Sequence, residues 1–510
     1  MEKQLARKCT YSPWGIFEAA CNRYPDQPMF IHNDIRLTYR EIDHVTRRIG
    51  EYIRGFDFRI YGLYLPNSID FISFLLALNH EKKIIVPLSY QLKGDSLFER
   101  LNYADVEAVI TDKNGFEELL KLKERLNTHV IVQKGQDEYD LHQFGLKPKP
   151  TTGIHDDVFG ICFTSGSTSR PKGVLINNGA IAGNAAAVAD FLQMEHHDVF
   201  LVTRSFAQAG PIAGDILMTI SHGGCIVISN DLFHPSVFLK TVQLYKVTTT
   251  LLINTMLAMV LDSSQLGNYD LSSLKRVIFG GMVVSRNMVH QAIQKMPGVD
   301  FYCTYGLTEA STRVCFTNPS DLIRYPGSSG KPIRGCQVKI YKENGMEAKV
   351  NETGEIYIVS DYVMDGYYKY PELTAGSLTP QGLRTKDIGY RNENGLLYVC
   401  GRSDDLIIQG GNNVFPIEIE EVLLRNPHIK EAAVFGIEDP ILGQKIVALV
   451  SLNDGNAIDA QEVHRWCRAN LEDRKVPKET HVWDHIPKTE LGKINKNELK
   501  KILLDKARVS

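Results

Sequence analysis

The sequence has no CxxC pair, no apolar run long enough to cross a bilayer and no marked excess of charge of either sign. Each absence removes a class of protein. Its nine cysteines (9, 21, 162, 225, 303, 315, 336, 400 and 467) are odd in number and scattered. That excludes a small disulfide-stapled fold and leaves no zinc or redox-dithiol spacing, so a reducing, cytoplasmic compartment is expected. The greasiest stretch, Phe71 to Leu78, falls far short of the ~20 residues of a membrane span. The opening MEKQLARKCTYSPW has positive charge but lacks the apolar core of a signal peptide, so no transmembrane segment is expected. Lys plus Arg number 57 against 60 Asp plus Glu, a net charge of −3, which gives no reason to expect nucleic acid as a partner. Neither HExxH nor GxSxG occurs, so a zinc protease or serine hydrolase has no support.

What is present is an ordinary globular balance, 43% hydrophobic and 23% charged over 510 residues. That length allows roughly three to five structural units. Apolar runs of strand length alternate with helix-like segments, the pattern of an α/β fold. Phe71 to Glu81 reads as an apolar helix leading into a strand at Lys83 to Pro87. Val106 to Thr111, His129 to Val132 and Phe159 to Phe163 read as further buried strands, which predicts a parallel frame. From Gly327 to Val399 short strands punctuated by glycine, such as Gln337 to Tyr341, Glu355 to Val359 and Leu396 to Val399, predict a β-rich subdomain. Past Gly401 the chain turns polar at Arg402, Ser403, Asp404 and Asp405. A new α/β pattern then runs to the end, which makes 402–405 a candidate hinge.

Five segments carry chemistry. Thr164 to Gly173, TSGSTSRPKG, follows a buried strand and offers the hydroxyls of Ser165, Ser167, Thr168 and Ser169, backbone N–H groups freed by Gly166, and the charge of Lys172. Such a loop can surround phosphate oxygens, although Pro171 breaks the GxxxxGK[ST] spacing, and a polar turn would look the same. YGLTE, with Tyr305, Gly306, Thr308 and Glu309, follows the strand-like Val277 to Phe279 and the pair Gly280 and Gly281. It combines an aromatic face for a purine, a hydroxyl for phosphate and a carboxylate for Mg2+; a strand end with a turn is the plainer reading. RTKDIG places Asp387 where it can accept from ribose hydroxyls, and Arg402 in GRSDD adds a fork of donors; a surface ion pair is the alternative. PKTELGKINK carries Lys493 among other lysines, a pattern that also suits a solvated face.

In this order along one chain the five segments, together with RLTYREID at Arg36 to Asp43 and LYLPNS at Leu63 to Ser68, resemble the adenylate-forming superfamily of acyl-CoA synthetases, luciferases and nonribosomal adenylation domains. The resemblance implies a large N-terminal domain of mixed α/β layers (1–401, with the β subdomain at 327–400) that holds ATP and an acid. It implies a hinge at 402–405 pivoting on Asp404, and a mobile C-terminal α+β domain (406–510) that presents Lys493. In the implied chemistry the acid attacks the ATP α-phosphorus, and Lys493 bridges the two anions. Thr164, Ser165, Ser167, Thr168 and Lys172 would hold the β- and γ-phosphates, Tyr305 would stack adenine, Thr308 would contact phosphate, Glu309 would hold Mg2+, and Asp387 with Arg402 would bind ribose. Gly410 and Gly411 would line a tunnel for the pantetheine arm of coenzyme A.

Two positions depart from the family pattern: Ser169 and Lys386 stand where glycine is usual, and a side chain costs roughly 1–2 kcal/mol if the backbone needs positive φ. The acid pocket is implied around RSFAQAGPI, Arg204 to Ile212. Ala207 after Phe206 offers no charge for an α-ammonium, so amino-acid substrates are disfavoured. Phe206, Met256, Met282 and Gly281 are apolar or small and suit an aliphatic chain or an uncharged aryl ring, although core packing explains the methionines as well. The expected activity is ATP-dependent acid:CoA ligation of a fatty or similar hydrophobic carboxylic acid. The alternatives are loading of a holo carrier protein, a luciferase-like oxidase, and a non-catalytic acyl- or adenylate-binding protein.

Overall fold

The structure is a computed structural model and describes residues 12–33, 35–135, 138–145, 154–164, 172–229, 233–280, 286–410, 412–453, 455–488 and 494–509. Two large sheets carry the first part of the chain. One has eight strands in the order Gly366–Tyr367, Gly173–Asn177, Val158–Phe163, Ile84–Pro87, Ile60–Tyr64, Ala108–Thr111, Thr128–Gly135, Glu138–Phe144. The other has nine, in the order Lys331–Pro332, Cys315–Phe316, Asp300–Tyr305, Arg276–Gly280, Thr249–Ile253, Val199–Val202, Cys225–Ile228, Pro28–His32, Ile35–Thr38. In both, the central strands pair parallel and the outer ones antiparallel. The parallel frame expected from the sequence is therefore the middle of each sheet. Every residue of Ile60–Tyr64, Ile84–Pro87 and Ala108–Thr111 is buried, which is why these strands read as unbroken apolar runs.

Helix Ile69–His80 starts where the Ser68 hydroxyl accepts from the Phe71 N–H at 3.1 Å. All residues from Phe71 to Asn79 are buried, so this helix has no polar face. Helix Asn178–Leu192 is similarly apolar. Both belong to one core that draws Leu63, Ile85 and Phe159 from the eight-stranded sheet and Phe30, Phe200 and Ile226 from the nine-stranded one. The two sheets are thus joined through helices, and the loops at their strand ends can face a common site.

The expected β-rich subdomain is an antiparallel sheet of Cys336–Tyr341, Gly354–Ser360, Gly382–Arg391 and Leu378–Thr379, with Leu397–Arg402 paired to Gly382–Arg391. Arg402 is therefore the last residue of a strand, not the first of a loop, and Ser403–Asp405 is a single tight turn. Beyond it, Ile407–Gln409, Asn412–Val414, Ile429–Asp439, Gly443–Leu452 and Glu479–Val482 form a fourth sheet. Its side chains alternate between two small cores. Ala432, Val434, Ile446 and Ala448 face one with Ile419 and Val463, while Ala433, Phe435, Val447 and Leu449 face another with Ile486 and Leu499. Among the described residues no helix is long and apolar enough to cross a membrane, and the eight described cysteines are free thiols.

Candidate functional site

Strands Val158–Phe163 and Gly173–Asn177 are antiparallel neighbours with Phe163 opposite Gly173, so the hydroxyl-rich segment bridges a hairpin. Its neck is closed by the Thr164 N–H donating to the Lys172 carbonyl at 3.2 Å. Ser165, Gly166, Ser167, Thr168 and Ser169 lie outside the described residues. Beside the neck, the Tyr368 N–H donates to the Gly173 carbonyl at 2.8 Å, and Tyr367 pairs with Val174.

The YGLTE segment comes off the end of Asp300–Tyr305. Gly280 lies opposite Thr304 in the neighbouring parallel strand, and a Cβ on Gly280 would stand 2.4 Å from the Thr304 carbonyl oxygen. At Gly306 the approach is closer still: a Cβ would meet the Thr312 carbonyl oxygen at 1.7 Å. The chain thus folds back on itself between Tyr305 and Arg313, which fixes the turn Thr308–Ala310 and the carboxylate of Glu309. Tyr367, arriving beside the hairpin neck, donates its hydroxyl to Glu309 Oε1 at 2.8 Å. Burial, then the Glu309 charge, push the Tyr367 pKa up, so it stays a protonated donor.

Tyr305 is held the same way from the β subdomain. Its hydroxyl donates to Asp387 Oδ2 at 2.6 Å, and burial followed by that carboxylate raises its pKa well above the ordinary value. Arg402 is paired with Asp387 across the strands, its Nη1 3.6 Å from Asp387 Oδ1. The structure therefore brings Thr164, Lys172, Tyr305, Glu309, Asp387 and Arg402 into one region, and Tyr367 is a member the motifs did not single out. Lys386 adopts φ of 62°, the left-handed backbone foreseen at a position where glycine is usual, and its Nζ lies 3.3 Å from Asp404 Oδ2.

The remaining expectations scatter more widely. Phe206 is completely buried, with its ring edge-on to Phe71 at 5.6 Å, so it is a core side chain. Its N–H donates to Asn67 Oδ1 at 2.9 Å, and Ala207 beside it is partly exposed. Met256 is partly buried against the core, its sulfur accepting from the Thr203 hydroxyl at 3.8 Å. Gly410 has φ of 56° and is exposed, and Asp404 is exposed in the tight turn. Gly281, Met282, Gly411 and Lys493 lie outside the described residues, although Lys488 and Ile494 bridge the two ends of the segment containing Lys493.

One cluster was only partly announced: Arg204 opens the RSFAQAGPI segment, but nothing in the sequence tied it to Asp215 or Arg313. Arg204 Nη2 donates to both oxygens of Asp215 at 2.7 Å, and Arg313 Nη2 lies 3.8 Å from Asp215 Oδ1. Asp215 belongs to the π-helical turn Ile212–Leu217, all of whose residues are buried. Arg204 and Asp215 are 11 residues apart, but Arg313 comes from a distant part of the sequence, so no local spacing links all three.

Among the described residues, no group of three or more His, Cys, Asp and Glu converges as a metal site. Mg2+ bound through substrate phosphates needs only one or two carboxylates, and Glu309, its carboxylate held in place by the Tyr367 hydroxyl, is a single oxygen-donor group of the kind that fits that ion.

Comparison with known proteins agrees with this geometry. The chain is 27% identical over 482 residues to an indoleacetate–CoA ligase of Aromatoleum aromaticum, covering 92% of this chain and 94% of that one. It is 29% identical over 448 residues to a 2-succinylbenzoate–CoA ligase of Bacillus cytotoxicus, covering 87% and 88%. The crystal structure of an anthranilate CoA ligase in complex with anthranoyl-AMP shares the fold with a TM-score of 0.87 at 21% identity, over 97% of each chain. The AMP-binding enzyme model matches residues 17–368 and the model of the AMP-binding enzyme C-terminal domain matches residues 418–493. With most of its length accounted for in this way, the chain belongs to the AMP-binding enzymes, the adenylate-forming superfamily its motifs resemble.

Proposed function

We propose that this protein is an AMP-forming acid:CoA ligase that uses ATP and Mg2+ to activate a largely apolar carboxylic acid and transfers the acyl group to coenzyme A. The observation that carries this reading is the convergence of Tyr305, Asp387 and Arg402 with Glu309 beside the neck of the hydroxyl-rich hairpin. Tyr305 and Asp387 hold one another, so an aromatic face and a carboxylate are presented together to a nucleoside. Thr164, Lys172 and the hairpin residues between them bind phosphate, and Thr308 adds a hydroxyl. Mg2+ on Glu309 would neutralise phosphate charge.

The acid's carboxylate oxygen forms a bond to the α-phosphorus as the bond from that phosphorus to the bridging oxygen of pyrophosphate breaks. Two anions meet in this step, and Lys493 supplies the positive charge between them. The coenzyme A sulfur then attacks the acyl carbon, the thiol proton is lost and AMP leaves. The unit beginning at residue 406 moves about Asp404 between the two steps, with Gly410 and Gly411 along the pantetheine path.

Ala207 supports an acid without an α-ammonium. The relatives' names, indoleacetate and 2-succinylbenzoate, favour an aromatic acid over the fatty chain expected from the sequence. The test is acid-dependent exchange of pyrophosphate into ATP with and without Mg2+ across fatty, aryl and amino acids, followed by thioester formation with coenzyme A and with a holo carrier protein. Exchange with aryl acids and a thioester on coenzyme A are expected. A panel that gives no exchange sinks the reading in favour of a non-catalytic binding protein, and transfer to the carrier alone replaces the acceptor.

A further inference from the structure

The Arg204–Asp215–Arg313 cluster holds two guanidinium groups against one carboxylate in a part of the molecule closed to water. The Arg204 and Asp215 side chains are 13% and 1% exposed, and that of Arg313 is 10% exposed. Arg204 holds Asp215 through one nitrogen, Nη2, which touches both of its oxygens. Arg313 is left with only the longer approach of 3.8 Å, and its Nη2 is a buried donor without a hydrogen-bond partner; so is Arg204 Nε. The hydroxyls of Ser311 and Thr312, immediately before Arg313, are also buried and unpartnered. Buried donors are nearly always satisfied, and a buried charge is nearly always paired. A concentration of unmet donors around an uncompensated positive charge therefore marks a place that an anion completes.

The cluster is also shaped for such a role. Gly214 lies on the guanidinium of Arg313, where a Cβ would come within 3.0 Å of Nε and 3.2 Å of Cζ, so a larger side chain would displace the arginine. The turn carrying Gly214 and Asp215 is π-helical, a rare form that is frequent at functional sites. Arg313 sits directly beneath the start of the YGLTE segment: a Cβ on Gly306 would stand 3.0 Å from the Arg313 Cα, and the Val314 N–H donates to the Tyr305 carbonyl at 2.9 Å. A small acid whose reacting end lies by Tyr305 can therefore extend toward Arg313. Burial, then the neighbouring Arg204 charge, lower the Arg313 pKa to about 10, which still leaves it charged at neutral pH.

We infer that the acid carries a second carboxylate at the end that is not activated, and that Arg313 and Arg204 bind it. This rests on the acid-ligase reading above and adds the substrate class, a dicarboxylic acid. Arg313 supplies a planar fork suited to a carboxylate, and Arg204 shares its charge between Asp215 and the ligand.

Two matched pairs of acids test this in the pyrophosphate exchange reaction: 3-benzoylpropanoate against 2-succinylbenzoate, and hexanoate against adipate, the members of each pair differing by one carboxylate. The diacid of at least one pair is expected to have the higher kcat/KM by tenfold or more. Arg313→Met should remove that preference by about 100-fold in the KM of the diacid while leaving the monoacid unchanged, and Arg313→Lys should recover part of it. Asp215→Asn, which removes the competing carboxylate, should lower the KM of the diacid. Preference for the monoacid in both pairs overturns the inference and leaves the ligase reading standing, whereas no exchange with any acid overturns both. Equal losses for mono- and diacids in Arg313→Met would make the cluster a structural ion pair and likewise overturn the inference. If Arg313→Met does not fold, the wild-type pairs and Arg313→Lys decide.

Discussion

Around Tyr305 the chain supplies both halves of each polar contact, while around Arg313 it supplies two cations and one anion. Tyr305 is matched by Asp387, Asp387 by Arg402, and Glu309 by Tyr367. Arg313 has only a 3.8 Å approach to Asp215, and its Nη2 has no hydrogen-bond partner. The difference suits what each region is proposed to recognise. A nucleotide common to every catalytic cycle is best met by groups already locked in place, because preorganised groups need no rearrangement as charge develops. A distinguishing acid is best met by a charge that only the right substrate completes, because a wrong one leaves it unpaired. Changes on the nucleotide side should therefore act on every acid alike, and changes at the arginine cluster should sort acids from one another.

The largest effect is expected from Lys493→Ala. If Lys493 is the cation between the acid and the α-phosphate, as proposed, removing it should lower adenylation by about 10²–10³-fold. Thioester formation from added acyl-adenylate should be nearly unaffected, since the acid and the α-phosphate are already joined in that substrate. The loss should be the same for mono- and dicarboxylic acids. Rapid-quench assays of the two half-reactions check this, and a loss that depends on the acid would erase the division between the two regions.

The ease with which the sequence gives up these two regions differs for the same physical reason. The nucleotide-side groups sit in short segments bound to strand ends: the hairpin at 164–172 between two paired strands, YGLTE after Asp300–Tyr305, and Asp387 opposite Arg402. Local spacing keeps such groups together, so their residue types announce them. Tyr367 was missed because only the pairing of Gly366–Tyr367 with Gly173–Asn177 brings it to Glu309. The arginine cluster was missed because a helix turn, a strand end and the fold-back after Ala310 assemble it, including positive φ at Ser311 and Thr312, which neither residue favours. Strand centres were legible from unbroken apolar runs; antiparallel edges such as Cys315–Phe316 were too short to leave a pattern. Arg402 read as the opening of a loop because its polarity outweighed the strand it ends.

An intermediate effect is expected from Asp387→Ala. Its loss deprives the buried Tyr305 hydroxyl of its acceptor, which should cost about 1–3 kcal/mol of stability, and raise the KM for ATP by roughly 10–100-fold. Asp387→Asn keeps an acceptor and should recover most of the stability. Melting curves and ATP titrations with two different acids separate these outcomes. Acid selectivity should not move; a change in it would mean that Asp387 reaches the acid as well as the nucleotide.

The smallest effect tests the backbone that supports the same carboxylate. Lys386 holds φ at 62°, a conformation that costs an ordinary side chain about 1–2 kcal/mol and glycine almost nothing. In Lys386→Gly that relief is offset by about 0.5–1 kcal/mol of extra chain entropy in the unfolded state. It is offset again by loss of the 3.3 Å ion pair with Asp404, which contributes ~0–1 kcal/mol because the two side chains are 47% and 60% exposed. The terms leave a change within about 1 kcal/mol of zero, read by urea unfolding at two salt concentrations. If backbone relief dominates, the variant matches or exceeds the parent and responds less to salt. If it is instead destabilised by more than about 1 kcal/mol, the Lys386–Asp404 pair contributes more than exposure allows, and the nucleotide side would depend on a charge borrowed from the turn at Ser403–Asp405.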